Sequence, residues 1–253
     1  MDPWRTALVH SDATNIWIRG HGIASLMRDA TFTDVICLLQ LGRLPTPGER
    51  RLLDAILIGV CDHGAGAPSC AAARLAASAN RQSVAAAIGA GVVAIGDDHG
   101  GAGTPCMELI AEGVAASQAG ISVAEAAART VDAAIGAKRR LPGLGHRVHT
   151  TDPRVATLFT MARAEGVAGD GIAFMEALEA AAQTKVKPLP LNIDGALAAV
   201  LHDIGFSPFS ARLIFIIGRV AGIAAEVAEE YVREKPMRIK FDVVYDGVPP
   251  KNE

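Results

Sequence analysis

Pro142-Gly143-Leu144-Gly145-His146-Arg147-Val148, followed by Asp152-Pro153-Arg154, is the stretch whose reading decides the fold. Two glycines permit a tight backbone turn immediately before a histidine. Asp-Pro then predicts a helix start, with Asp152 as N-cap and Pro153 in the first helical position. Arg154 falls in the first turn, where the helix dipole is already positive. A cation there is disfavoured by a few tenths to about 1 kcal/mol unless an anion lies opposite. A helix N-terminus with an arginine beside it is a ready carboxylate or phosphate site. A histidine on a tight loop beside such a site predicts acid–base work on an acidic substrate.

The same helical punctuation recurs outward from this stretch. Thr31 with Asp34 resembles a capping pair, and Gly42 can close the helix that follows. Thr46-Pro47-Gly48-Glu49 is a capping box leading into Leu52, Leu53, Ile56, Leu57 and Val60. Ser122 with Glu125 is another. Ser207-Pro208 opens a helix with Phe209, Leu213, Ile216, Ile217, Val220 and Val227 at three-to-four spacing. Period-two alternation never runs beyond a few residues. Thr14 to Arg19 is a weak strand candidate, and Ile239 to Tyr245 is one strand or an extended tail. The fold class is therefore mainly α. Gly89 to Gly103, with six glycines, and Lys185 to Pro190, with two prolines, are expected hinges. The expected division is a large body, about 1–140 and 208–253, with a smaller cap, about 141–207.

Composition narrows the function classes. The 253 residues suffice for one large domain or two small ones with a sizeable core. Apolar residues make up 50% but aromatics only 4%, so alanine and glycine carry much of the core and allow close helix packing. A net charge of −3, with no long basic tract, argues against nucleic acid as a partner. The opening Met-Asp-Pro-Trp-Arg has no charged-then-apolar leader, and the apolar run Leu213 to Ala228 is broken by Arg219 and Glu226. A soluble, cytoplasmic protein away from membranes is expected. Cys37, Cys61, Cys70 and Cys106 show no CxxC spacing and are expected as reduced thiols.

Several residues could carry chemistry. His99 lies in Asp97-Asp98-His99-Gly100-Gly101-Ala102-Gly103, where glycines allow close backbone approach to a ligand; the same loop also reads as a plain helix connection. Asp194 is the only charge between Lys187 and Asp203. A carboxylate in so apolar a run needs a partner, or its pKa rises towards that of a general base. It also reads as a cap for a helix starting at Gly195. His63, before a small-residue loop, suits a hydrogen-bonded structural role. His146 and His149 lie three apart, but no third ligand is near in sequence, so no metal site is expected. Arg219 interrupts an apolar helix face and must meet an internal or a substrate carboxylate. Arg238 alone reads as a surface residue.

Together these pieces resemble the citrate synthase superfamily, and within it the citryl-CoA lyases and the citryl-CoA lyase module of ATP-citrate lyase. Trp17 to Ile23, Phe32-Thr33-Asp34-Val35 and Leu44-Pro45-Thr46 resemble the family's N-terminal pattern. Asp62-His63-Gly64 with Pro68-Ser69, His99-Gly100-Gly101-Ala102, and Gly143 to Val148 with Asp152-Pro153-Arg154 are similar to its three histidine regions. Asn192-Ile193-Asp194-Gly195 is similar to its aspartate region. Two departures resemble lyases more than synthases: His63 follows Thr46 by only 17 positions, and Asp194 is followed by Gly195-Ala196. Thr150 stands where many relatives carry a basic residue.

The resemblance implies a helical body-and-cap fold that cleaves citryl-CoA to acetyl-CoA and oxaloacetate. It implies catalysis by His99, His146 and Asp194, with His63, Arg154, Arg219 and Arg238 holding the citryl carboxylates. Gly143, Gly145 and Arg147 would contact coenzyme A. Coenzyme A enters as part of the substrate, with no tightly bound cofactor. The last arginine comes from the neighbouring subunit in relatives, which implies a homodimer with shared sites. A compact citrate or 2-methylcitrate synthase, a lyase for a related 3-hydroxy-acyl-CoA, and a non-catalytic CoA-binding homologue are the alternatives.

Overall fold

The computed structural model describes residues 3–145, 152–186 and 189–248. Within them a small antiparallel sheet precedes a helical body. Strands β1 (Val9–Ser11), β2 (Ile16–Ile18) and β3 (His21–Gly22) pair in that order, with Val9 opposite Ile18 and Trp17 opposite Gly22. Eleven helices follow: α1 (Ile23–Asp29), α2 (Phe32–Leu41), α3 (Pro47–Cys61), α4 (Pro68–Ala79), α5 (Val84–Val93), α6 (Gly103–Gln118), α7 (Val123–Gly136), α8 (Pro153–Ala164), α9 (Asp170–Lys185), α10 (Ile193–Ile204) and α11 (Pro208–Arg233). The mainly α expectation holds.

Most helix starts lie where the sequence places them, because side chains satisfy the first-turn N–H groups. Thr31 Oγ1 accepts from the Asp34 N–H while Asp34 accepts from the Thr31 N–H, and Thr46 with Glu49 repeats this reciprocal box. Gly42, at φ +76°, ends α2 in the left-handed region that suits glycine. Ser122 caps α7 by accepting from the Glu125 N–H. Ser207 is the N-cap of α11, but its hydroxyl pairs with that of Ser210 rather than with a first-turn N–H.

Two expectations need correction. The stretch from Gly89 is not all hinge: α5 runs to Val93, and only the residues after it form a loop. Gly91 serves packing there, since a Cβ would fall 2.8 Å from the Ser69 carbonyl and 2.9 Å from Ile223. Asp194 does not cap a helix, because α10 begins one residue before it with Asn192 as N-cap. Of the two readings of residues 239–245, the structure has the tail: no strand forms there, and most of it is exposed.

Helix α10 sits at the centre. All seven residues from Gly195 to Leu201 are buried, so the helix is apolar all round and must be enclosed. Helices α6, α8, α9 and α11 enclose it. Full burial of a side chain such as Leu197 or Leu201 contributes roughly 1.5–3 kcal/mol. One continuous apolar core links Leu52, Ile56, Met107 and Ile110 to Phe174, Met175 and Leu197. The expected cap segment, which carries α8, α9 and α10, therefore shares its core with the rest of the chain. Helix α11 has 26 residues, about 39 Å of helix, and crosses α3 where Gly218 meets Leu57 and Gly222 meets the Cys61 carbonyl. No helix among the described residues is long and apolar enough to cross a membrane.

Candidate active site

The start of α10 is tied to the Gly143–Gly145 turn by backbone chemistry. Both glycines have positive φ, +82° and +86°. The Gly143 carbonyl accepts from the Asn192 N–H at 3.1 Å, and the Gly145 N–H donates to the Pro190 carbonyl at 2.7 Å. Asn192 Nδ2 donates to the Gly145 carbonyl at 2.8 Å, while its Oδ1 caps α10 through the Gly195 N–H. His146 and Arg147, which follow this turn, lie outside the described residues, as does His149.

Asp194 occupies the second position of α10. Its Oδ1 is enclosed and has no hydrogen-bond partner among the described residues. Burial pushes this carboxyl up to about 6, against the opposing pull of the Arg154 and Arg219 charges; Asp152 adds a smaller upward push. A helix N-terminus favours a carboxylate by up to about 1 kcal/mol, so here desolvation wins. A carboxyl near neutrality with a vacant oxygen is suited to moving a proton.

Arg219, 3% exposed on α11, donates through Nε to the Val60 carbonyl at 2.7 Å and through Nη1 to Ser69 Oγ at 3.2 Å. It lies over the Phe215 ring, 5.0 Å from the centroid. No carboxylate lies within ion-pair distance of it among the described residues, and burial pulls its guanidinium below the ordinary value. A buried cation without a paired anion is costly, which favours the substrate-carboxylate reading over the internal salt bridge.

His99 is held by the start of α4. The Ser69 N–H donates to His99 Nε2 at 3.2 Å, and Ser69 Oγ lies 2.9 Å from the same nitrogen. A backbone N–H can only donate, so Nε2 carries a lone pair and a neutral ring bears its proton on Nδ1. The His99 ring meets Phe215 edge-on, with centroids 6.3 Å apart. Ser69 thus joins His99 to Arg219. Ser69 is visible in the sequence only as part of the Pro68-Ser69 motif, and nothing local marks Phe215.

Arg154 behaves differently from expectation. Its Nε and Nη2 grip Asp152 at 2.9 and 2.7 Å, and Nη1 donates to the Gly59 carbonyl at 3.0 Å. The anion that offsets this first-turn cation is therefore its own N-cap. Two of the five guanidinium N–H bonds remain without a partner among the described residues. Its charge and that of Arg219 both reach Asp194. A cavity of about 520 Å³ between α3 and α8 is lined by Arg154, Gly59 and Ile193, but by neither His99 nor Asp194.

The remaining candidates are scattered. His63 is exposed, and its N–H donates to Asp62 Oδ1 at 2.5 Å. Arg238 forks onto Glu230 at 2.9 and 2.5 Å, beside Arg74, and is not brought to Asp194 within one chain. Asp62, Cys70 and Glu226 bring possible ligand atoms within 4.8 Å of one another. Those atoms are already engaged: Glu226 pairs with Arg74, while Asp62 Oδ1 accepts from His63, Gly64 and Cys70. The four cysteines are free thiols.

Helices layered around a buried α10, with a histidine loop, a carboxyl at a helix start and an arginine on the last long helix, define a mainly helical fold of the citrate synthase type. The profile of the citrate synthase C-terminal domain matches residues 45–240, and the chain belongs to the citrate synthase family. It is similar to the citryl-CoA lyase of Hydrogenobacter thermophilus, with 36% identity, a TM-score of 0.90, and coverage of 98% of this chain and 96% of that one. Citrate synthase 2 of Bacillus subtilis is 29% identical over 79% of this chain and 52% of its own length. The citrate synthase of Deinococcus radiodurans is 27% identical over 90% of this chain and 59% of its own. The chain thus spans little more than half the length of these curated relatives.

Proposed function

We propose that this protein cleaves citryl-CoA to acetyl-CoA and oxaloacetate by a retro-Claisen reaction. The likeness to a citryl-CoA lyase over nearly the full length of both chains carries this reading. The raised Asp194 carboxyl and Arg219, which meets no carboxylate at ion-pair distance among the described residues, support it chemically. Citryl-CoA offers carboxylates for arginines and a carbon that must be protonated after C–C cleavage.

In this reading His146 takes the proton of the tertiary hydroxyl, and that oxygen becomes the oxaloacetate carbonyl. The bonding electrons pass to the thioester, forming the enolate of acetyl-CoA. His99 donates from Nδ1 to the enolate oxygen, a role that suits a neutral ring whose Nε2 is occupied by Ser69. Asp194 delivers its proton to the carbon. Arg219, Arg154 and His63 hold the citryl carboxylates. Gly143, Gly145 and Arg147 are the expected contacts of coenzyme A. Arg238 acts across a homodimer, and its present pairing with Glu230 would have to yield for that. The thioester itself acidifies the α-carbon, so the chemistry needs no metal or redox group.

A synthase is the second reading, favoured by the names of the curated relatives. Mass-spectrometric identification of the products from (3S)-citryl-CoA tests the proposal. Equimolar acetyl-CoA and oxaloacetate are expected; intact citryl-CoA after prolonged incubation would refute it.

A further inference from the structure

Gly96, Gly100, Gly101 and Ala102 leave Asp97, Asp98 and His99 to supply the polar side chains of the His99 loop. The Gly96 N–H donates to the His99 carbonyl at 3.0 Å, and the His99 N–H returns the bond to the Gly96 carbonyl at 3.0 Å. Asp97 and Asp98 form the tip of this turn. Gly100, at φ +76°, lies so close to Phe215 that no Cβ fits, and a Cβ on Gly101 would fall 2.5 Å from the Gly96 carbonyl and 2.9 Å from Arg212 Nη2. The loop therefore folds back on itself and rests on α11.

Three residues of α11 at three-to-four spacing, hence on one face, reach it. Arg219 holds Ser69, which holds His99 Nε2. Phe215 holds Gly100 and the edge of the His99 ring. Arg212 Nη2 donates to Asp97 Oδ1 at 2.5 Å, and Arg212 Nε is enclosed with no partner among the described residues. Asp97 is 88% exposed, so this ion pair adds little to stability. Its effect is geometric: it ties down the tip of a turn whose flanking glycines carry no side chain, while Ser69 holds the His99 ring itself.

We propose that Arg212 is a positioning residue for His99, acting through Asp97 to fix the turn that carries the imidazole. The proposal rests on the reading of His99 as catalytic. Displacement of a catalytic group by about 1 Å costs on the order of a hundredfold in rate, whereas the lost surface pair barely changes folding.

The test pairs kinetics with ¹⁵N imidazole spectra of Arg212→Gln, Asp97→Asn and Arg212→Lys in the full chain. Both Arg212→Gln and Asp97→Asn should lower kcat for citryl-CoA cleavage about 10- to 100-fold, with KM within twofold. Arg212→Lys should recover much of the loss, and melting temperatures should stay within about 2 °C. The His99 resonances should move from a fixed Nδ1–H tautomer towards a mixture. Unchanged His99 resonances, or an unchanged kcat, in Arg212→Gln and Asp97→Asn would overturn the proposal. His99→Gln separates the underlying reading: full activity there removes His99 from catalysis. Should the wild type leave citryl-CoA intact, the substrate reading fails and the resonances alone decide the positioning role.

Discussion

The Gly143 carbonyl oxygen lies 2.5 Å from the point where a Cβ on Gly195 would stand, and Gly195 Cα lies 2.7 Å from the corresponding point on Gly143. The turn leading to His146 and the helix start carrying Asp194 thus touch backbone to backbone. Gly195→Ala has no flexible neighbour to displace. It should lose about 1–3 kcal/mol of stability by overpacking, measured by urea denaturation. Gly89→Ala supplies the contrast. It lies within α5 with nothing inside 4 Å, so alanine should stabilise by up to about 1 kcal/mol. Equal effects at the two sites would contradict the close approach.

Asp194 makes stability depend on pH. Its folded-state pKa of about 6 lies above the ordinary 3.8, so the folded protein binds more protons than the unfolded chain between those values. Its contribution is fully favourable below about pH 4, declines as pH rises to 6, and is lost above that. Asp194→Asn should therefore be more stable than wild type at pH 8, by about 1–3 kcal/mol, with the difference vanishing near pH 4. Thermal denaturation across this range measures it. A difference that grows towards low pH would mean the carboxyl is held ionised.

The same substitution should slow citryl-CoA cleavage at least about a hundredfold while leaving CoA affinity intact. Steady-state kinetics with calorimetric CoA titration separates the two effects. Near-normal turnover would remove Asp194 from the mechanism.

Arg154→Ala should act on folding as well as on ligand binding. The Asp152 side chain is fully enclosed and loses its fork, whereas Arg154 is partly open to solvent. A loss of about 2 kcal/mol is expected, below the range for fully buried pairs. Oxaloacetate should also bind more weakly. Unaltered oxaloacetate affinity in a destabilised variant would leave Arg154 a structural residue.

Much of this was legible in the residues. The boxes at Thr31 and Thr46 and the Asp152-Pro153 start are local chemistry, so short stretches specify them. The rise in the Asp194 pKa was readable because no other charge lies between Lys187 and Asp203. The pairing of Arg154 with Asp152 was less visible, because two residues apart in a helix start do not obviously face each other. Arg238 with Glu230 depends on how the chain turns back after α11, and Ser69 with His99 on how the loop after α5 meets the start of α4, which no local pattern records. Gly91 looked like a hinge residue because the loss of Cβ that frees a loop also permits close helix packing.

The most direct test of the central claim compares oxaloacetate release from (3S)-citryl-CoA, coupled to malate dehydrogenase, with free-thiol release from acetyl-CoA plus oxaloacetate. A lyase should release oxaloacetate rapidly in the first assay and form little free CoA in the second. Rapid free CoA in the second assay, with slow release in the first, would contradict the lyase and establish a synthase.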